Sequence, residues 1–158
     1  MTKECKQQFT LRITQANPTE LVVILYEMTL EYLKEARQEL EAENIPGFRE
    51  ALRKTRGCVA ELMESLHLEY EPAPDIYRIL IFCMRRIAHG EIARDGLALS
   101  EVERVLKPLH DAFETIQGQN PEGPVMGNSQ TVYAGLTYGR TSLVENAGDG
   151  RNNRGFLA

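Results

Sequence analysis

The chain has 158 residues, 42% of them hydrophobic and 26% charged, which is enough for one domain with a core and too apolar for disorder throughout. A net charge of -5 gives no support for non-specific nucleic-acid binding, and no apolar run approaches the ~20 residues that cross a bilayer, so neither nucleic acid nor membrane insertion is expected. The start, Met1-Thr2-Lys3-Glu4-Cys5, lacks the apolar core of a signal peptide, and Cys5, Cys58 and Cys83 are far apart with no Cys-x-x-Cys pair. A cytoplasmic location is the default, and Cys58 and Cys83 read as small buried hydrophobes.

Residues 1–16 read as a short arm. Phe9, Leu11 and Ile13 alternate with polar residues, the pattern of an extended segment lying on a surface. Asn17-Pro18-Thr19-Glu20 then opens the first long helix: Asn17 can cap, Pro18 has no N–H to leave unsatisfied, and Glu20 can complete a capping box and meet the helix dipole. This helix is expected to run to about Glu43. Leu21, Leu25, Met28 and Tyr32, beside Val22, Thr29, Leu33, Ala36 and Leu40, make two apolar rows at spacings of three and four. Residues 21–25 are all apolar, more than a single buried stripe needs, so neighbouring helices or a partner must cover several sides.

Asn44-Ile45-Pro46-Gly47 breaks the pattern and restarts it. In the second helix Phe48, Leu52, Thr55, Val59, Leu62 and Leu66 alternate steps of four and three, the seam of left-handed bundle packing. Glu64-x-x-His67 has the spacing of a bundle metal ligand pair, but neither His89 nor His110 has a Glu three residues before it, so a di-metal site fails on ligand count. No metal site is expected. His67 reads as a helix-end residue before Tyr70-Glu71-Pro72-Ala73-Pro74.

The third helix spans about Pro74 to Arg94, with Ile76, Tyr77, Leu80, Ile81, Met84, Ile87, Ala88 and Ile92 on one broad side and Arg78, Arg85, Arg86, His89 and Arg94 on the other. Asp95-Gly96 offers a stop. Ser100-x-x-Glu103 has the form of a capping box opening a fourth helix through Gln117, with Val102, Val105, Leu106, Leu109, Phe113 and Ile116 as its buried row. From Gly118 the composition turns linker-like. Two apolar islands follow, Val132-Tyr133-Ala134-Gly135-Leu136-Thr137-Tyr138 and Phe156-Leu157, which read as docking segments.

The expected fold is therefore all-α: an antiparallel up-and-down four-helix bundle with a short N-terminal arm and an extended or short-helical C-terminal tail. The divisions are 1–16 for the arm, 17–117 for the bundle, and 118–158 for the linker and tail. No Gly-rich phosphate loop, no nucleophile beside a base and no paired metal motif is present in the sequence, so neither enzymatic activity nor a cofactor is expected.

Thr14, Asn17, Pro18, Glu20, Leu21, Leu25, Tyr26 and Glu27 together resemble the opening of the bacterial flagellar secretion chaperone family FliS, where a Thr-x-x-Ser-Pro-like cap precedes a Leu-x-x-x-Leu-Tyr-Asp-like helix. Glu61-Leu62-Met63-Glu64-Ser65-Leu66 is similar to the end of that family's second helix, and residues 76–87 to its Leu-x-x-Leu-Tyr-x-Tyr-Met helix. Here Ile81-Phe82-Cys83 replaces part of the aromatic set, so contacts by those hydroxyls do not carry over; Phe113 stands near where the family often has Trp. The resemblance covers roughly residues 9–117.

That resemblance implies a chaperone that binds the C-terminal, polymerisation-prone segment of flagellin in the cytosol, prevents premature assembly and aids delivery to the flagellar export apparatus. The implied partner-binding residues are drawn from Leu21, Leu25, Tyr26 and Met28 of the first long helix and Tyr77, Leu80, Ile81 and Met84 of the third; core packing competes for each. Phe9 and Ile13 are expected to act as a groove lid. Val132, Tyr133, Leu136, Tyr138, Phe156 and Leu157 are expected to occupy the grooves without client, in cis or in an exchanged dimer, so removing residues 118–158 would raise client affinity. The alternative is a helical-bundle adaptor that binds another cytosolic protein through its groove or tail.

Overall fold

Among the described residues there are five helices, four of them opened by a side-chain cap. The computed structural model describes residues 1–119 and 122–126, and these are all-helical, with no strand among the described residues. Helix α1 spans Lys3–Gln15, α2 Pro18–Glu41, α3 Ile45–Glu64, α4 Ala73–Ala93 and α5 Gly96–Ile116, with a 3-10 turn at Gln117–Gln119.

The arm is a helix, not an extended strand. Thr2 Oγ1 accepts from the Cys5 N–H at 3.2 Å and Glu4 sits in the first turn, where the dipole favours a carboxylate. The alternation through Leu11 misled: the packed row is Cys5, Phe9 and Ile13 at steps of four, while Leu11 is 40% exposed.

At the start of α2 both halves of the capping box form. Asn17 Oδ1 accepts from the Glu20 N–H at 2.9 Å, and the Glu20 carboxylate accepts from the Asn17 N–H at 2.8 Å. The helix ends at Glu41, two residues short of expectation, because Glu43 takes a left-handed φ of 56° and Asn44 begins the next cap. Asn44 Oδ1 accepts from the Gly47 N–H at 3.3 Å.

Helix α5 begins a full turn before the expected capping box. Arg94, with φ 52°, ends α4, and Asp95 Oδ1 accepts from the Leu97 N–H at 2.9 Å. Gly96 is thus the first residue of α5 and not a stop. Ser100 lies inside the helix, donating to the Gly96 carbonyl and accepting from Arg37 Nη1, both at 3.1 Å; Arg37 also pairs with Glu103 at 3.0 Å. The two residues read as a cap instead fasten α5 to α2.

Helix α2 packs on α3 and α5, and α4 packs on the same two. Between them lies one core: Tyr26, Leu33 and Ala36 of α2, Phe48, Leu52, Val59 and Leu62 of α3, Leu80, Cys83 and Ile87 of α4, and Leu99, Val102 and Leu106 of α5. Each large apolar side chain taken fully out of water contributes about 1.5–3 kcal/mol before conformational entropy is counted. The buried hydroxyls of Thr29 and Thr55 donate to the Leu25 and Ala51 carbonyls, at 2.7 and 2.9 Å, so neither is left unsatisfied.

Two residues expected to be buried are exposed. Ile92 is 86% exposed and Ile116 is 45% exposed, both near helix ends that run past the packed layer. Among the described residues no helix is long and apolar enough to cross a membrane.

Candidate functional site

Helix α2 buries two different sides. One joins the main core; the other presents Leu21, Ile24 and Met28, which α1 covers with Cys5, Phe9 and Ile13 to form a second, smaller apolar cluster. Phe9 and Ile13, predicted as a lid, are therefore brought onto Leu21 and Met28, predicted as partner-binding residues.

A polar clasp closes this cluster. The Arg12 guanidinium of α1 forms a forked pair with the Glu27 carboxylate of α2, Nη1 to Oε2 and Nη2 to Oε1, the latter at 2.9 Å. Hydrogen bonding to Glu27 raises the Arg12 pKa further, against a smaller opposing effect of burial. Arg12 also lies 5.8 Å from the centre of the Phe9 ring. At the other end of α1 the Met1 amine is 2.9 Å from Glu35. A helix of 13 residues is marginal alone in water, so α1 owes its order to this seat.

The remaining predicted residues divide by depth. Tyr26 and Leu80 are core residues, 1% and 0% exposed; the Tyr26 ring stacks on Phe113 with centroids 5.6 Å apart, and burial pushes its hydroxyl well above the usual range. Leu25 and Met84 are half-buried against the same core, and Tyr77 and Ile81 are half-buried on α4. Val132, Tyr133, Leu136, Tyr138, Phe156 and Leu157 lie outside the described residues.

Sequence reasoning missed an apolar cleft of about 300 Å³ where α3 ends and α4 begins, lined by Val22, Tyr26, Leu62, Leu66, Ile76 and Phe113. The available signal was the α3 seam, which continues to Leu66 beyond the last helical residue, Glu64. The Arg12–Glu27 clasp was also missed, since nothing local relates residues 15 apart. Residues 122–126 pass the α1–α2 junction, where the Val125 N–H donates to the Ala16 carbonyl at 3.0 Å.

The histidines offer little metal chemistry. His67 and Glu64 are exposed, as a helix-end reading requires. Among the described residues His110, Asp111 and Glu114 bring three donor atoms within 4.8 Å of one another, but Asp111 and Glu114 face solvent and His110 Nδ1 is already 2.9 Å from Asp111 Oδ1. The two core cysteines are quiet: burial pushes the Cys83 thiol up to about 12 and raises that of Cys58.

The family model described as "Flagellar protein FliS" matches residues 1–120. The "Flagellar secretion chaperone FliS" of Bacillus subtilis is 26% identical over 111 residues, covering 70% of this chain and 84% of the relative. The "Flagellar secretion chaperone FliSB" of Pseudomonas aeruginosa is 28% identical over 107 residues, covering 66% and 85%.

Proposed function

The chain belongs to the FliS family of flagellar proteins, and on that premise we propose that it is a flagellar export chaperone that binds the C-terminal segment of flagellin in the cytoplasm. Bound there, it keeps the segment from polymerising and presents it to the export apparatus. The observation that carries this reading is the apolar strip Leu21, Ile24 and Met28 on α2, covered by a short helix whose order depends on the contact.

Helix-in-groove binding supplies the mechanism. A client segment that folds on binding lays apolar side chains along a helical groove, and the burial offsets its ordering entropy. In this reading α1 is the placeholder: Phe9 and Ile13 occupy the strip until a client helix of larger apolar face takes their place. Tyr77, Ile81 and Met84 on α4 offer the second row. Tyr26 and Leu80, inside the core, hold both helices in position for it. The packing of α2 and α4 each against α3 and α5, with tight connections at residues 42–44 and 94–95, supports an antiparallel up-and-down bundle as the scaffold.

Seeded flagellin assembly, followed by light scattering, tests the proposal. An equimolar amount of this protein should hold flagellin monomeric. Assembly at an undiminished rate with the protein in several-fold excess would overturn it.

A further inference from the structure

Helix α4 has a solvent-facing stripe that the client-binding reading leaves unused. Arg78, Phe82, Arg85, His89 and Ile92 follow one another at alternating steps of four and three, on the side of α4 opposite Ile76, Leu80, Cys83 and Ile87. All five are exposed, including two large apolar side chains, Phe82 at 43% and Ile92 at 86%. The stripe runs for ~21 Å, about four helical turns, which is the length of an ordinary docked helix.

Its charge is as distinctive as its hydrophobicity. The chain carries a net charge of -5, yet the fixed charges of this stripe, Arg78 and Arg85, are both cationic. Elsewhere on α4 the charges are spoken for: Arg86 pairs with Glu101 at 2.7 Å, and Glu91 pairs with Arg56. Arg78 is 2.7 Å from Asp75, and His89 is 3.9 Å from Asp95. Arg85, at the centre, has no carboxylate partner among the described residues. A cation between two exposed apolar anchors is complementary to a helix whose acidic residues flank an apolar row.

We propose that the outer face of α4, through Phe82, Arg85, His89 and Ile92, is a second docking surface that receives an acidic amphipathic helix of a partner protein. It leaves the arm-covered strip on α2 free, so the partner and the client bind together. Local positive charge in a negative molecule orients such a partner, and the interaction weakens as salt rises.

The probe is a synthetic helical peptide of about five turns with leucines at three- and four-residue steps flanked by glutamates, titrated into the isotopically labelled full chain and followed by amide chemical shifts. Shifts should concentrate on residues 78–92, and a control peptide with lysine in place of glutamate should not reproduce them. Arg85→Glu should weaken binding by about tenfold or more, and Phe82→Ser with Ile92→Ser should abolish it; because these side chains are exposed, thermal melts of the variants should match the parent. Perturbations confined to α1 and α2, or equal for both peptides, would overturn the proposal. So would competition by the flagellin C-terminal segment, which would assign the stripe to the client, or shifts of residues 78–92 on simple dilution, which would assign it to a second copy of this chain.

Discussion

Cys83 is fully buried beside the Tyr26 ring, and its thiol is held neutral up to about 12 because the core offers nothing to solvate a thiolate. The unfolded chain ionises the same thiol near its ordinary value of about 8.5. A raised folded-state pKa means that stability is intact below about 8.5 and is lost progressively as pH rises from there towards 12; Cys58 and Tyr26, raised mainly by burial, act in the same direction. The urea midpoint should therefore fall between pH 8 and pH 10, by an amount equivalent to roughly 1–2 kcal/mol. In Cys83→Ala the fall should be smaller, and an equal fall would contradict the assignment. Substitution should also separate core from groove. Leu80→Ala is expected to cost about 2–5 kcal/mol, whereas Ile81→Ser, at a half-buried position, should leave chemical unfolding nearly unchanged and weaken client binding. The resemblance put both residues in one candidate set, and spacing did not separate them, because α4 is apolar on more than one side and periodicity does not say which side a neighbour covers.

Among the elements, α1 carries the most consequence for its size. Arg12→Ala removes the forked pair with Glu27 and leaves the apolar contacts of Phe9 and Ile13 in place. Amide exchange in residues 3–15 should accelerate while the core of α3 stays protected, and client affinity should rise by about two- to fivefold, the scale of a partly exposed ion pair. Slower exchange or weaker client binding would show that the arm helps hold the client and does not compete with it. Gly90 marks a different junction: an added Cβ would lie 2.9 Å from Leu99 Cδ2 and 3.2 Å from the Asp95 carbonyl. Gly90→Ala should destabilise by about 1–3 kcal/mol through overpacking of the α4–α5 turn, measurable as a lowered denaturant midpoint. Helices α2 to α4 were legible because proline, asparagine and strict apolar periods agree on their limits. The start of α5 was not, since Asp95 and Ser100 are both good caps and only the left-handed turn at Arg94 selects the first. The arm was misread because three alternating apolar residues also fit a helix once Leu11 is left out.

Across the described residues, a single core shared by α2 to α5 fixes the four helices, and the proposed function falls to the surfaces that this core does not use. The α2 strip under α1 was recognisable from sequence as excess hydrophobicity at residues 21–25; the clasp that governs its cover was not, because it joins residues distant in the chain. In the proposed function this covered strip receives an apolar segment of flagellin. Calorimetric titration of the full chain with the C-terminal segment of the same organism's flagellin, repeated at several temperatures, tests it most directly. One-to-one binding with a negative heat-capacity change is expected, as burial of apolar surface requires, together with tighter binding by the Arg12→Ala variant. Absence of binding by both the parent and that variant would contradict it.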